Sequence, residues 1–283
     1  ETYTVPVKED KKSLYEEDKV EIYESTPADV QVHFDLGLAY AQLSKYEDAI
    51  EEFKRVINKY PGHLESRKQL GNLYEKIDKT DEAIEVLKSA IEIPRLKMEE
   101  WGRLKTEMAD IYIYANDPWE ATLIYSQVID ANKTNSLGDE VKLKKAKLGY
   151  YLGQFSWAKA QLDVLKASTS KLTANDAMEL SLLIGNNLNL DTTEIPLTMF
   201  AKADLLFFRQ KNEEAMSVLD GLAKMYPQNS LVDDILFRKA KIEAGRQNYK
   251  IASEYLGKIV SDFSYDLLGD DAQFMLAELY NYN

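Results

Sequence analysis

Two stretches of this chain align without a gap at a spacing of 34 residues. Leu36, Gly37, Tyr40 and Ala49 recur as Leu70, Gly71, Tyr74 and Ala83, and Phe53 recurs as Leu87. That length narrows the possible folds sharply. Two amphipathic helices of about 12 to 15 residues and a short turn together occupy roughly 34 residues. The small residues Gly37, Ala49, Gly71 and Ala83 let two helices approach closely. Leu36, Tyr40, Phe53 and their equivalents are expected to fill the space beside them. Pro61 stops the second helix, because proline cannot donate the next backbone hydrogen bond. One such hairpin cannot bury its apolar faces alone, so neighbouring hairpins must stack.

The frame continues with drift. Met108, Ala109, Tyr112, Ala121, Tyr125 and Val128 make a third repeat, after an insertion near Pro94 to Glu100. Ala146, Gly153, Phe155, Ala158, Leu162 and Leu165 make a fourth. Ala203, Leu206, Ala215, Leu219, Leu222 and Pro227 make a fifth, and Ala240, Tyr249, Ala252, Leu256 and Ile259 a sixth. Leu276, Ala277 and Tyr280 open a seventh that the sequence does not complete. An additional helix is expected near 175–189, carrying Met178, Leu180, Leu182, Leu183 and Leu188, followed by a loop to Pro196. Residues 1–27 differ: eight acidic and four basic side chains and no repeat frame predict an extended or partly disordered acidic lead. The remainder, 28–283, reads as one array of about six and a half hairpins.

Composition excludes several chemistries. There are no cysteines and two histidines, His33 and His63, so disulfide scaffolds, thiolate nucleophiles and Cys/His zinc sites are ruled out. A formal net charge of −13 argues against a phosphate backbone as partner. No stretch is apolar enough to span a bilayer. His33 occupies a large-residue position and is read as packing; His63 follows Pro61 and is read as solvated. Adjacent carboxylates such as Asp233 and Asp234 point to different faces of a helix, so they cannot flank one bond as acid and base. No phosphate loop, dinucleotide fingerprint or serine elbow occurs. No cofactor or metal is expected. Asn132-Lys133-Thr134 fits a glycosylation triplet, a pattern common by chance.

The Leu-Gly-x-x-Tyr and Ala-x-x-x-Phe spacing, twice over with a proline, resembles the tetratricopeptide repeat (TPR) family. The resemblance implies an all-α solenoid of antiparallel helix pairs, a superhelix in which the first helix of each pair lines a concave groove that holds a peptide or protein. At the inward positions, three or four residues apart, repeat two offers Lys68 and Asn72. Repeat three offers Arg103, Asp110 and Tyr114, and repeat four Lys147, Tyr150 and Tyr151. Repeats five and six offer Asp204, Phe208 and Lys241. For the tyrosines, groove exposure and packing both remain open, and Phe200, Phe207 and Phe237 are read as packing against the next repeat. One TPR subclass grips a C-terminal carboxylate with a Lys/Asn clamp. Glu107 stands here where that clamp needs asparagine and would repel the ligand.

Asp233-Asp234 and Asp270-Asp271 recur in register 37 residues apart. Helix capping accounts for them. The surrounding style is similar to TPR proteins of the gram-negative envelope, which implies a periplasmic or outer-membrane-associated location, with the cytoplasm as alternative. The expected function is a non-enzymatic scaffold or adaptor for a partner polypeptide. The alternatives are a spacer or self-association region of a larger protein, and the recruitment module of a larger enzyme.

Overall fold

A computed structural model describes residues 28–280 apart from 169, 191 and 192. The expected acidic lead at 1–27 lies outside the described residues. Among those described there are fourteen α-helices and no strand. Helices α1 (Ala28–Gln42) and α2 (Tyr46–Lys59) pack as a pair, as do α3 (Leu64–Lys76) and α4 (Thr80–Ile91); α5 (Met98–Tyr114) and α6 (Pro118–Ala131) follow in sequence, and α7 (Ser136–Tyr151) pairs with α8 (Phe155–Ser168). After the additional α9 (Lys171–Leu190) come α10 (Ile195–Phe208) with α11 (Asn212–Met225), α12 (Val232–Gly245) with α13 (Tyr249–Asp262), and α14 (Gly269–Leu279).

The turn inside each pair has a common construction. One residue takes the left-handed conformation: Ser44, Asp78, Asn116, Gly153, Gln210 and Gln247, with φ between 56° and 74°. The amide of the residue that follows closes back on the helix, as in Lys45 N–H to Tyr40 C=O, Lys79 N–H to Tyr74 C=O and Asn248 N–H to Glu243 C=O, each 2.8 to 2.9 Å. This six-to-one bond satisfies a carbonyl the helix end leaves open. Only Gly153 adopts the conformation without a Cβ penalty.

The chain divides into two compact units, the first ending at Ile111 and the second beginning at Tyr112. In the first, Ala49, Phe53, Val56, Leu70, Tyr74, Ala83 and Leu87 form the buried interior. Gly37 is required by close approach, since a Cβ there would sit 2.8 Å from the Phe53 ring. Leu36 departs from expectation: it is exposed, as are Val32 on the same helix and Leu43 in the turn after it. The ring of Phe53 itself fills the space beside Gly37, so Leu36 is left to solvent. Neither histidine behaves as read from sequence alone. His33 Nδ1 lies 2.5 Å from Oε2 of the buried Glu52, a polar contact between α1 and α2. His63 is the N-cap of α3. Its Nδ1 accepts from the Ser66 amide at 3.1 Å, and its ring meets Phe34 at 5.1 Å. Burial lowers its pKa, which favours the neutral ring that this acceptor role needs.

In the second unit the first helices of successive repeats stack: α10 packs on α7, and α12 on α10. The additional helix α9 is longer than expected and packs on α8, α7 and α10. Ser181 on α9 donates to Asp163 of α8 at 2.6 Å, while Lys159 and Lys166 hold that carboxyl well below the usual carboxylate range. Asn187 of α9 accepts from Ser230 at 2.6 Å, which ties α9 to the start of α12.

The turn between α6 and α7 is closed by Asn132. Its side chain is buried and donates to Val128 C=O at 3.0 Å, so the glycosylation triplet offers no free acceptor amide. A Cβ on Gly138 would collide with the Asn132 carbonyl oxygen. That neighbour is backbone, and it cannot rotate away. Gly138→Ala is therefore expected to cost about 1–3 kcal/mol by overpacking. Urea denaturation checks it, and a midpoint unchanged from wild type would show that the turn can relax.

Candidate functional site

The second unit holds a cleft of about 330 Å³ walled by the inner helices α7, α10 and α12 and by α9. Of the residues placed on the inward stripe from sequence, it gathers Lys147, Tyr150, Tyr151, Asp204, Phe208 and Lys241. It also takes Phe207, an inward residue read from sequence as packing, adds Arg238, and from α9 takes Asp176, Glu179, Leu180 and Leu183. The α9 residues were invisible to a stripe rule, because that helix has no place in the repeat frame. Tyr114 lies beside the wall, its ring 5.3 Å from Phe208. Tyr151 stacks on the same Phe208 at 6.1 Å.

Tyr150 is in the core and not on an open wall. It is 1% exposed, against Phe155 at 5.9 Å and Tyr151 at 5.7 Å. Its hydroxyl donates to Asp204 Oδ2 at 3.2 Å. Asp204 is 7% exposed, and its other oxygen pairs with Arg238 Nε at 2.6 Å. The guanidinium lies 5.0 Å over the Phe207 ring. Burial pushes the Asp204 carboxyl up, while Arg238 and the Tyr150 hydroxyl pull it back. Burial also opposes the Arg238 charge, and the Asp204 carboxylate more than offsets it. The pair thus fixes the spacing of α7, α10 and α12 beneath the cleft.

Above this pair the lining has polar groups with unused capacity. Among the described residues, Lys147 and Lys241 form no ion pair within 4 Å, in contrast to Lys142, Lys159, Lys166 and Lys239. Lys241 instead lies 4.4 Å over the Phe237 ring, and burial lowers its pKa.

The remaining sequence-derived candidates belong to the first unit and do not line this cleft. Arg103 pairs with Glu99 at 3.0 Å along one face of α5, and Lys68 lies 3.5 Å from Glu65. Asn72 is exposed. Burial raises the pKa of Glu107, with Lys68 pulling it down and Asp110 pushing it up. Glu75 is raised by burial and by Asp110. The face bearing Lys68 is therefore mainly carboxylate.

At the start of α12, burial and the neighbouring Asp233, Asp204 and Glu179 carboxylates push Asp234 well above its ordinary value, against the pull of Arg238. The native state then binds a proton more readily than the unfolded chain. Stability from this group is present at low pH and is lost as pH rises from about 4 through the folded-state pKa. Asp234→Asn is expected to remove that loss, raising Tm at neutral pH and leaving it unchanged near pH 3. A thermal melt series across pH checks this, and equal effects at both ends would refute it.

Among the described residues no three His, Cys, Asp or Glu side chains are arranged to hold a metal ion, and no helix is long and apolar enough to cross a membrane.

Residues 40–108 match the family model of the tetratricopeptide repeat. No curated protein sequence matches the chain. Similar solved structures include a tetratricopeptide repeat protein from Parabacteroides merdae, 17% identical over 89% of this chain and 98% of that one, with a TM-score of 0.45. PilW, described as a type IV pilus biogenesis factor, is 16% identical over 88% of this chain and 100% of its own, TM-score 0.43. Pseudomonas aeruginosa PilF is 15% identical over 87% and 97%, TM-score 0.42. The chain resembles TPR proteins, and its fold is an all-α array of antiparallel helix pairs of that type.

Proposed function

We propose that the protein is a non-enzymatic adaptor that holds a segment of a partner polypeptide in the cleft between α7, α9, α10 and α12. One observation carries the reading. Aromatic walls from Tyr151, Phe207 and Phe208 stand beside two lysines without a carboxylate partner, over a buried ion pair that keeps the walls in place. Aromatic side chains offer large contact area at low entropic cost, and interfaces are enriched in them. The tetratricopeptide match supports the coarser statement, since that fold is generally a non-catalytic module for protein interaction.

The test is a photo-crosslinking amino acid at position 151, with the exposed Lys258 position as control. A discrete adduct from 151 and none from 258 is expected. Equal labelling at both positions would remove the cleft from consideration. A location in a bacterial envelope complex belongs to the same proposal. It rests on the overall style of the repeats, including the absence of cysteine, and cell fractionation checks it.

The exposed Val32 and Leu36 on α1, with Leu43 in the turn after it, favour a second reading, self-association through that helix. A constant mass by light scattering over a wide concentration range would dispose of it.

A further inference from the structure

The cleft described above adjoins a second one. Glu179 and Leu183 of α9 line both, and the second, of about 560 Å³, opens at the start of α12. The two halves differ in charge. The first carries both signs, with the ammonium groups of Lys147 and Lys241 beside the carboxylates of Asp176 and Glu179. The second offers the carboxylates of Asp233, Asp234 and Asp266 and contains no lysine or arginine in its lining. Its apolar surface comes from Leu183, Phe263, Leu267 and Leu268. Among the described residues, none of these three aspartates forms an ion pair within 4 Å.

We infer that the two clefts form one docking track for an extended peptide segment whose ends carry opposite charges. An acidic side chain sits against Lys147 and Lys241, apolar side chains cross Leu183, and a lysine or arginine enters between Asp233, Asp234 and Asp266. This deepens the adaptor reading and rests on it. Among the described residues, Lys147, Lys241, Asp233 and Asp234 are half-buried without an ion-pair partner, and a ligand group of opposite sign relieves the cost of that burial. The shifted groups agree in direction. Burial lowers Lys241, which an anion would restore, and raises Asp234, which a cation would reverse. The charge order also gives the track a polarity. A segment bound backwards places like charges together, so the clefts select direction as well as composition.

The experiment is selection of random twelve-residue peptides displayed on phage against the full chain, followed by anisotropy titration of the enriched synthetic peptides. Enrichment of one acidic and one basic position separated by apolar residues is expected. Lys147→Glu should weaken binding at least tenfold, and exchange of the peptide's acidic residue for lysine should restore binding to that variant alone. Asp233→Asn, with helicity checked by circular dichroism, should weaken peptides with the basic residue and not those in which it is alanine. Enriched peptides without the charge order, or indifferent to both variants, would overturn the inference while leaving the adaptor reading in place. Selection of no peptide also overturns it, and the crosslink from position 151 then decides whether the broader reading falls too.

Discussion

Asp204→Ala is expected to lower the stability of the second unit by about 3–5 kcal/mol, because it leaves the Arg238 guanidinium buried without its counter-charge. The Tyr150 hydroxyl loses its acceptor in the same step. The magnitude follows from where the group sits. Asp204 is 7% exposed and joins α7, α10 and α12 through two contacts, at 3.2 Å and 2.6 Å. The loss measures an uncompensated charge and not the net worth of the pair, so a second variant separates the two. Replacing the three groups together, as Tyr150→Phe, Asp204→Leu and Arg238→Met, removes the charges with the polar atoms and should recover most of the loss. Urea denaturation with an unchanged m-value is the measurement. A single variant within about 1 kcal/mol of wild type would mean that water already reaches the guanidinium.

The same network shows where sequence reading succeeds and where it stops. The inward stripe at three- and four-residue spacing placed Lys147, Tyr151, Asp204, Phe208 and Lys241 around one cleft. It could not separate Tyr150 from Tyr151, because neighbours on a helix point about 100° apart and the stripe is wider than that. It also passed over Arg238, whose role depends on Asp204, 34 positions earlier and on another helix. Asp176 and Glu179 lie on α9, which has no equivalent in the other repeats. No periodic argument could place it over the α7, α10 and α12 wall. The hairpins were legible because close approach needs small residues at fixed offsets, as Gly37 against Phe53 shows. The left-handed turn residues were not. Five of the six carry Ser, Asp, Asn or Gln, and the turn is imposed by the helices on either side of it.

The 37-residue register at the end of the chain yields the other large effect. Phe200, Phe237 and Phe274 are equivalent on α10, α12 and α14, and so are Ala203, Ala240 and Ala277. Their surroundings are not equivalent. The first two phenylalanines are 1% and 9% exposed, in cores that include Leu219 and Leu222 of α11 or Leu256 and Ile259 of α13. Phe274 is 68% exposed, and Ala277 is solvent-exposed where Ala203 and Ala240 are fully buried. Identical side chains at identical helical positions should therefore differ in energetic worth. Phe200→Ala is expected to cost about 3–5 kcal/mol through lost transfer energy and the cavity left behind. Phe237→Ala should fall toward the lower end, since Lys241 lies over its ring and keeps some water access. Phe274→Ala should change stability by less than about 0.5 kcal/mol. Denaturation midpoints of the three variants test the order directly. A Phe274→Ala loss as large as that of Phe200→Ala would show that its ring is covered, and that the second helix of each pair is not what makes these phenylalanines core residues.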